Sequence, residues 1–239
     1  MSRSSPGDLL PNPSIRWFEW EGEHGAVRYY DKALKERVTV KEIFSFLLLD
    51  QLSTVKGWHD ESKSGIYANE VRDTRQDPFT VKAFKGGVLA SGLYRDIKPH
   101  VNAEGGRYYA TLYLAFKHDG GLQIGALQLK GAALRAWMEF AREHRAQLYE
   151  KAIRIKDAEE GIKGRVRFYV PVFELQNVSA QTHEAALALD ATLQTYLTAY
   201  FERQVRQQVS QPPAPVEVWE GPVPDDAEDD AITASDVPF

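Results

Sequence analysis

Apolar and polar positions alternate through the first half of the chain, and the period changes near residue 130. Short aromatic and β-branched runs, RWFEW at 16–20, AVRYYDK at 26–32 and ERVTV at 36–40, predict strands divided by polar turns. FSFLLLDQLSTVKGWHD at 44–60 is long enough for one bent strand, with Gly57 read as a bulge or turn. GIYANEVRD (65–73), FTVKAFK (79–85) and VLASGLYRDI (88–97) predict further strands, with a hairpin at Lys85-Gly86-Gly87-Val88. The segment 107–130 predicts another hairpin, turning at Asp119-Gly120-Gly121. Within it, Tyr109, Thr111, Tyr113 and Ala115 share one face, and Tyr108, Ala110, Leu112, Leu114 and Phe116 the other.

At GAALRAWMEFAREH (131–144) the spacing becomes helical, with Ala133, Leu134, Trp137, Phe140 and Ala141 on one stripe. KAIRIKD (151–157) and RVRFYVPVFELQNV (165–178) return to strands, joined by the loop AEEGIKG. Ser179 is a plausible N-cap for a last helix, whose stripe of Ala186, Leu189, Leu193, Tyr196, Leu197 and Tyr200 runs to about Gln208. That helix either packs on its own domain or pairs with a second chain, so the sequence leaves the homo-oligomeric state open. The order of strands, helix, two strands and helix predicts a mainly β fold with helices. It fits an elaborated OB-type barrel, which carries a helix between its third and fourth strands; a mixed α+β sandwich is the other architecture. The organisation expected is a flexible arm at 1–14, an OB-like domain at 15–208, a Pro-rich linker at 209–224 and an acidic tip at 225–239.

Charge sharpens the division. The net charge of −5 speaks at first against nucleic acid. Yet no Lys or Arg follows Arg206, while Glu217, Glu220, Asp225, Asp226, Glu228, Asp229, Asp230 and Asp236 do. The rest of the chain then holds 26 of the 34 acids against 29 bases, a mildly basic body joined to an acidic tail. The chain has no cysteine, which removes disulfides and thiolate chemistry and fits a reducing compartment such as the cytoplasm. No run of about 18 apolar residues is present, so no membrane span is expected.

Catalytic motifs are scarce. No phosphate-binding loop or nucleophile elbow occurs, and Trp58-His59-Asp60-Glu61 reads as a solvated turn rather than a metal site, since neighbours on a strand point to opposite faces. No metal, cofactor or catalytic residue is expected. A metal-dependent nuclease using Asp60, Glu61, Glu70 or Asp73 is the alternative, though Thr80 stands where a nuclease strand would carry an acid before Lys82. What recurs instead is aromatics beside bases on strands. Cations follow phosphates and aromatic faces stack on bases, which is what a flexible nucleic-acid strand requires. The candidate groove residues are Trp58, Tyr67, Lys82, Lys85, Tyr94, Arg95, Arg107 and Tyr109.

The terminal stretch DDAEDDAITASDVPF carries the most specific signal. It resembles the C-terminal tip of bacterial and phage single-stranded DNA-binding proteins, an acidic run closing in Asp-Ile-Pro-Phe after a flexible linker. Asp236, Val237, Pro238 and Phe239 match those four positions, with Val for Ile, and the acids through Asp229 and Asp230 match the run; AITAS between them is a departure. The resemblance implies a non-catalytic protein that coats single-stranded DNA during replication or recombination, in a bacterial host's cytoplasm if phage-encoded. It also implies capture of replication or recombination partners by the tip. Phe239 would fill an apolar pocket, Pro238 would stiffen the approach, and the acids would draw the tip to a basic partner. A chain that uses its acids to mimic DNA is a third reading, against which the basic body speaks.

Overall fold

The computed structural model describes residues 10–210. They form an open, mixed sheet of eleven strands with three helices. The N-terminal strands β1 (Arg16–Glu21), β2 (Ala26–Asp31) and β3 (Glu36–Thr39) make an antiparallel meander. The long β4 (Phe44–His59) is followed by β5 (Ser64–Ala68), β6 (Phe79–Ala83) and β7 (Gly87–Gly92). Helix α1 (Tyr94–Ala103) leads into the hairpin of β8 (Gly106–His118) and β9 (Gly121–Leu129), then α2 (Gly131–Glu143). A second hairpin, β10 (Ala152–Lys163) and β11 (Val166–Gln176), precedes the long α3 (Ala180–Ser210). The sheet runs β3-β2-β1-β9-β8-β4-β5-β6-β7, and β10 joins it by pairing with the start of β4. Among the described residues only β1 and β9 pair in parallel.

Both faces of the central strands are buried, which explains their near-continuous apolar sequence. One face meets α1 and α2 over Phe46, Leu112, Leu114, Leu127 and Trp137; the other meets α3 over Leu47, Leu49, Tyr113, Ile124, Leu193 and Leu197. The alternation predicted for 107–130 therefore holds, with Tyr108, Ala110, Leu112, Leu114 and Phe116 in the α1–α2 core and Tyr113 and Ala115 in the α3 core. The α2 stripe is buried as expected. Ser179 caps α3, its Oγ accepting from the Thr182 N–H at 3.1 Å, and the helix packs on its own sheet.

Three local expectations are corrected. The irregularity in β4 lies between Leu48 and Asp50, not at Gly57. Gly57 stays in register between Ile66 and Gly106 because its backbone passes close to the α1–β8 loop, where a Cβ would lie 2.1 Å from the Gly105 carbonyl oxygen. The bulge has a larger effect than a kink. Ahead of it Phe44, Phe46 and Leu48 point to the α1–α2 side; after it Leu52, Thr54, Lys56 and Trp58 take the opposite side. Second, the segment read as a strand through Ile97 turns into α1 at Tyr94, despite Pro99 within it. Third, residues 158–163 extend β10 instead of forming a loop, and the turn falls at Gly164.

Candidate nucleic-acid interface

Helix α3 covers only one half of its sheet face. Its apolar contacts, Ala186, Leu193 and Leu197, sit over the β4 bulge and the middle of β8 and β9. Beyond Tyr113 this face still buries Thr111, Thr54 and Gln128, and it becomes partly exposed only from Lys56, Tyr109 and Tyr67 outward. There the strand register sets residues side by side: Arg107 of β8 faces Lys56 of β4, Lys56 faces Tyr67 of β5, and Tyr67 faces Lys82 of β6. Three cations and one aromatic ring thus form a row across four strands. Tyr109 lies one step along β8, opposite Thr54, and Lys130 at the start of α2 stands 5.5 Å from the centre of its ring. Trp58, next to last in β4, has 54 % of its surface exposed, and Tyr67 is 47 % exposed.

Two members of this surface were not anticipated. Trp17 of β1 packs edge-on to Tyr113, and the Lys56 ammonium sits 5.4 Å from its ring. Lys56 also donates to Gln128 Oε1 at 2.6 Å, and burial lowers its pKa against the opposing pull of Glu19 and Glu70. Nothing local marks either residue, because their facing depends on the bulge and on where α3 stops.

Of the eight residues expected from sequence, Trp58, Tyr67, Lys82, Arg107 and Tyr109 share this face. Lys85 lies in the adjoining β6–β7 turn, exposed, its N–H donating to Ser64 Oγ at 3.1 Å. Arg95 is on the exposed side of α1, beside Asp96. Tyr94 is a correction: as the first residue of α1 it is 6 % exposed, wedged between Phe79 and Tyr108 in the α1–α2 core. A helix replaced the expected strand, and its inward stripe of Tyr94, Ile97 and Val101 took the ring with it.

The boundary between covered and open halves is polar. Tyr113 donates its hydroxyl hydrogen to Glu70 Oε2 at 2.7 Å, and Asn12 Nδ2 donates to the hydroxyls of Tyr113 and Tyr196 at 3.3 and 3.4 Å. Asn12, placed by sequence in a flexible arm, is thereby tied to both sheet and helix. The Glu70 N–H donates to Tyr200 Oη at 2.8 Å, and Gln204 Nε2 donates to the Glu70 carbonyl. Burial raises the Glu70 pKa, partly offset by its bonds to Tyr113 and Thr111 and by Lys56; burial likewise pushes Tyr200 up to about 12.

The acids considered for metal chemistry are placed apart. Asp60 and Glu61 lie in the β4–β5 turn, Glu70 lies under α3, and Asp73 binds Arg75 in the loop after β5. Among the described residues no group of three His, Asp or Glu could hold a metal ion, and no helix is long and apolar enough to cross a membrane. Asp229, Asp230, Asp236, Val237, Pro238 and Phe239, expected from sequence to bind partners, lie outside the described residues, as does the expected linker beyond residue 210. No protein-family model, curated protein or solved structure matches the chain.

Proposed function

We propose that the protein is a non-catalytic single-stranded DNA-binding protein that coats exposed strands in replication or recombination. The observation that carries this reading is the open half of the outer sheet face, where Trp17, Tyr109, Tyr67 and Trp58 are interleaved in register with Lys56, Arg107 and Lys82. Stacking surfaces beside phosphate-pairing cations grip a strand without reading its sequence. An exposed sheet face admits unstacked bases, whereas a duplex hides its bases and offers only its backbone.

The connectivity supports an OB-type core. Strand β4 pairs with β8 through its length and with β10 at its start, β8 pairs with β9, α2 separates β9 from β10, and β10 pairs with β11. With β5–β7 and α1 taken as an insertion between β4 and β8, this order is compatible with an OB-type core, which carries its helix between the third and fourth strands. In this reading β1 inserts beside β9 and partly closes the curve, with Trp20 Nε1 donating to the Tyr169 carbonyl and the Tyr169 N–H to the Gly22 carbonyl. The acidic tip ending Asp236-Val237-Pro238-Phe239 then serves to recruit replication or recombination partners in a bacterial cytoplasm.

Fluorescence anisotropy with oligo-dT and with duplex of equal length, at two salt concentrations, tests the reading. Preference for oligo-dT that weakens with salt is expected, with the oligonucleotide intact after incubation in Mg²⁺. Equal or stronger duplex binding overturns it, and cleavage would point to a nuclease.

A further inference from the structure

The far end of the open face holds a gap between two rings. Trp58 of β4 stands opposite Gly65 of β5, and Phe84, the residue after β6, donates its N–H to the Gly65 carbonyl at 3.0 Å. Three backbones therefore lie side by side, and strand spacing of about 4.8 Å sets Trp58 and Phe84 roughly 9.6 Å apart across β5. The alternation directs both outward: Val55 and His59 flank Trp58 on the buried side, and Val81 and Ala83 precede Phe84 there. Phe84 is 79 % exposed, more than any other large apolar residue among those described. Between the two rings Gly65 contributes no side chain, and a Cβ built there would meet nothing within 4 Å. Tyr67, two residues along β5 on the same face, closes one end.

We propose that Trp58, Gly65 and Phe84 form a slot that clamps one unstacked base of a single-stranded nucleic acid, with Tyr67 as its end wall. The proposal deepens the binding function above and rests on it. A base stacked on both walls needs about 6.8 Å between ring planes, twice the ~3.4 Å rise per stacked nucleotide. Backbones roughly 9.6 Å apart leave room for that separation once the two exposed rings lean toward the base. Charge selects a polyanion over an apolar protein segment. Lys56 precedes Trp58 on the same face, Lys82 precedes Phe84, and Lys85 follows it. The nearest acids, Asp60 and Glu61, lie in the exposed β4–β5 turn, where Asp60 faces Lys63 at 3.4 Å.

Gly65→Leu tests the slot from its floor. The position lies in a strand, its backbone is not in the left-handed region, and its outer side is open, so the added side chain rises between the rings without disturbing the core. Affinity is measured for oligo-dT and for an abasic oligonucleotide of equal length. Gly65→Leu should weaken oligo-dT binding about 5- to 150-fold, the loss of one stacked base, and leave abasic binding unchanged. Phe84→Ala, which removes an exposed ring, should act in the same direction. Unchanged oligo-dT affinity in both variants overturns the slot while leaving the binding function standing, as does wild-type protein that binds the abasic strand as tightly as oligo-dT. If the variants instead alter self-association in sedimentation at constant DNA affinity, the rings are a protein contact and the slot is overturned. Wild-type protein that binds no single strand at all removes the function itself, and the slot with it.

Discussion

The Tyr113 hydroxyl donates to the Glu70 carboxylate at 2.7 Å, at the line where α3 stops covering the sheet. Burial raises the Glu70 pKa above the ordinary 4.5, so the folded state holds its proton to higher pH than the unfolded chain. In that window the folded state binds more protons, and stability falls as pH rises. The contribution is fully present below about 4.5 and is lost as pH climbs through the raised folded value. Glu70→Gln keeps an acceptor for Tyr113 and removes the ionisation. Its melting temperature should exceed that of wild type at pH 8, with the gap closing toward pH 4. A variant less stable than wild type at pH 8 would contradict the buried-carboxyl account.

Stacking on the open face should quench tryptophan fluorescence, through Trp17 and Trp58. Trp58→Ala should weaken oligo-dT binding by about 1–3 kcal/mol. Its 54 % exposure means that thermal stability should hardly move. Titration of the variant with oligo-dT decides the matter; wild-type affinity would remove Trp58 from the interface.

The row Arg107, Lys56 and Lys82 should set the salt response. Each single-strand phosphate neutralised contributes a log–log slope of about −0.7, so Lys82→Ala or Arg107→Ala should each flatten the slope by about that amount. Binding isotherms at several salt concentrations measure it. A slope indifferent to both changes would place the phosphates elsewhere.

Much of this layout is legible in sequence where the determining contact is local. The Asp119-Gly120 turn, with both residues at positive φ, follows from its residue types. The α2 stripe and the Ser179 cap do too. The outer face is not legible, because the β4 bulge at Leu48–Asp50 inverts the alternation and nothing in FSFLLLDQL marks that spot over Gly57. Helix α1 is hidden by Gly92 just before it and by Pro99 within it, in a helix of only ten residues. Trp17 and Phe84 join the candidate surface through pairings between distant segments, β1 with β9 and Phe84 with Gly65.

The acidic tail should compete with DNA for the basic row. Deleting 224–239 should strengthen oligo-dT binding, most at low salt, since exposed charges screen over about 8 Å at physiological ionic strength. Phe239→Ala keeps every acidic side chain, so DNA affinity should hold while capture of replication or recombination partners is lost. Weaker DNA binding on deletion, or partner capture that survives Phe239→Ala, would separate the tail from these roles.

Gly57→Ala should be the most damaging small change among those considered. The new methyl would lie 2.1 Å from the Gly105 carbonyl oxygen, where only backbone can yield. A loss of roughly 3 kcal/mol is expected, seen as a lower urea midpoint at unchanged slope. A neutral result would mean that the α1–β8 loop is free to withdraw.

The covering of the sheet by α3 has a consequence for synthesis. Strand β1 waits for β9, as Phe18 does for Leu127, and the start of β4 waits for β10, as Phe46 does for Ile153. Leu47, Leu49, Leu52 and Ile124 wait longer still, since Ala186, Leu193 and Leu197 leave the ribosome after every strand of the sheet. A nascent chain halted before residue 186 presents that leucine-rich surface uncovered, beside unpaired strand edges. Such a surface is one that chaperones hold and that aggregates when they do not. Truncation within α3 should therefore reach the cell as insoluble protein, even though the basic row itself lies outside the helix's footprint.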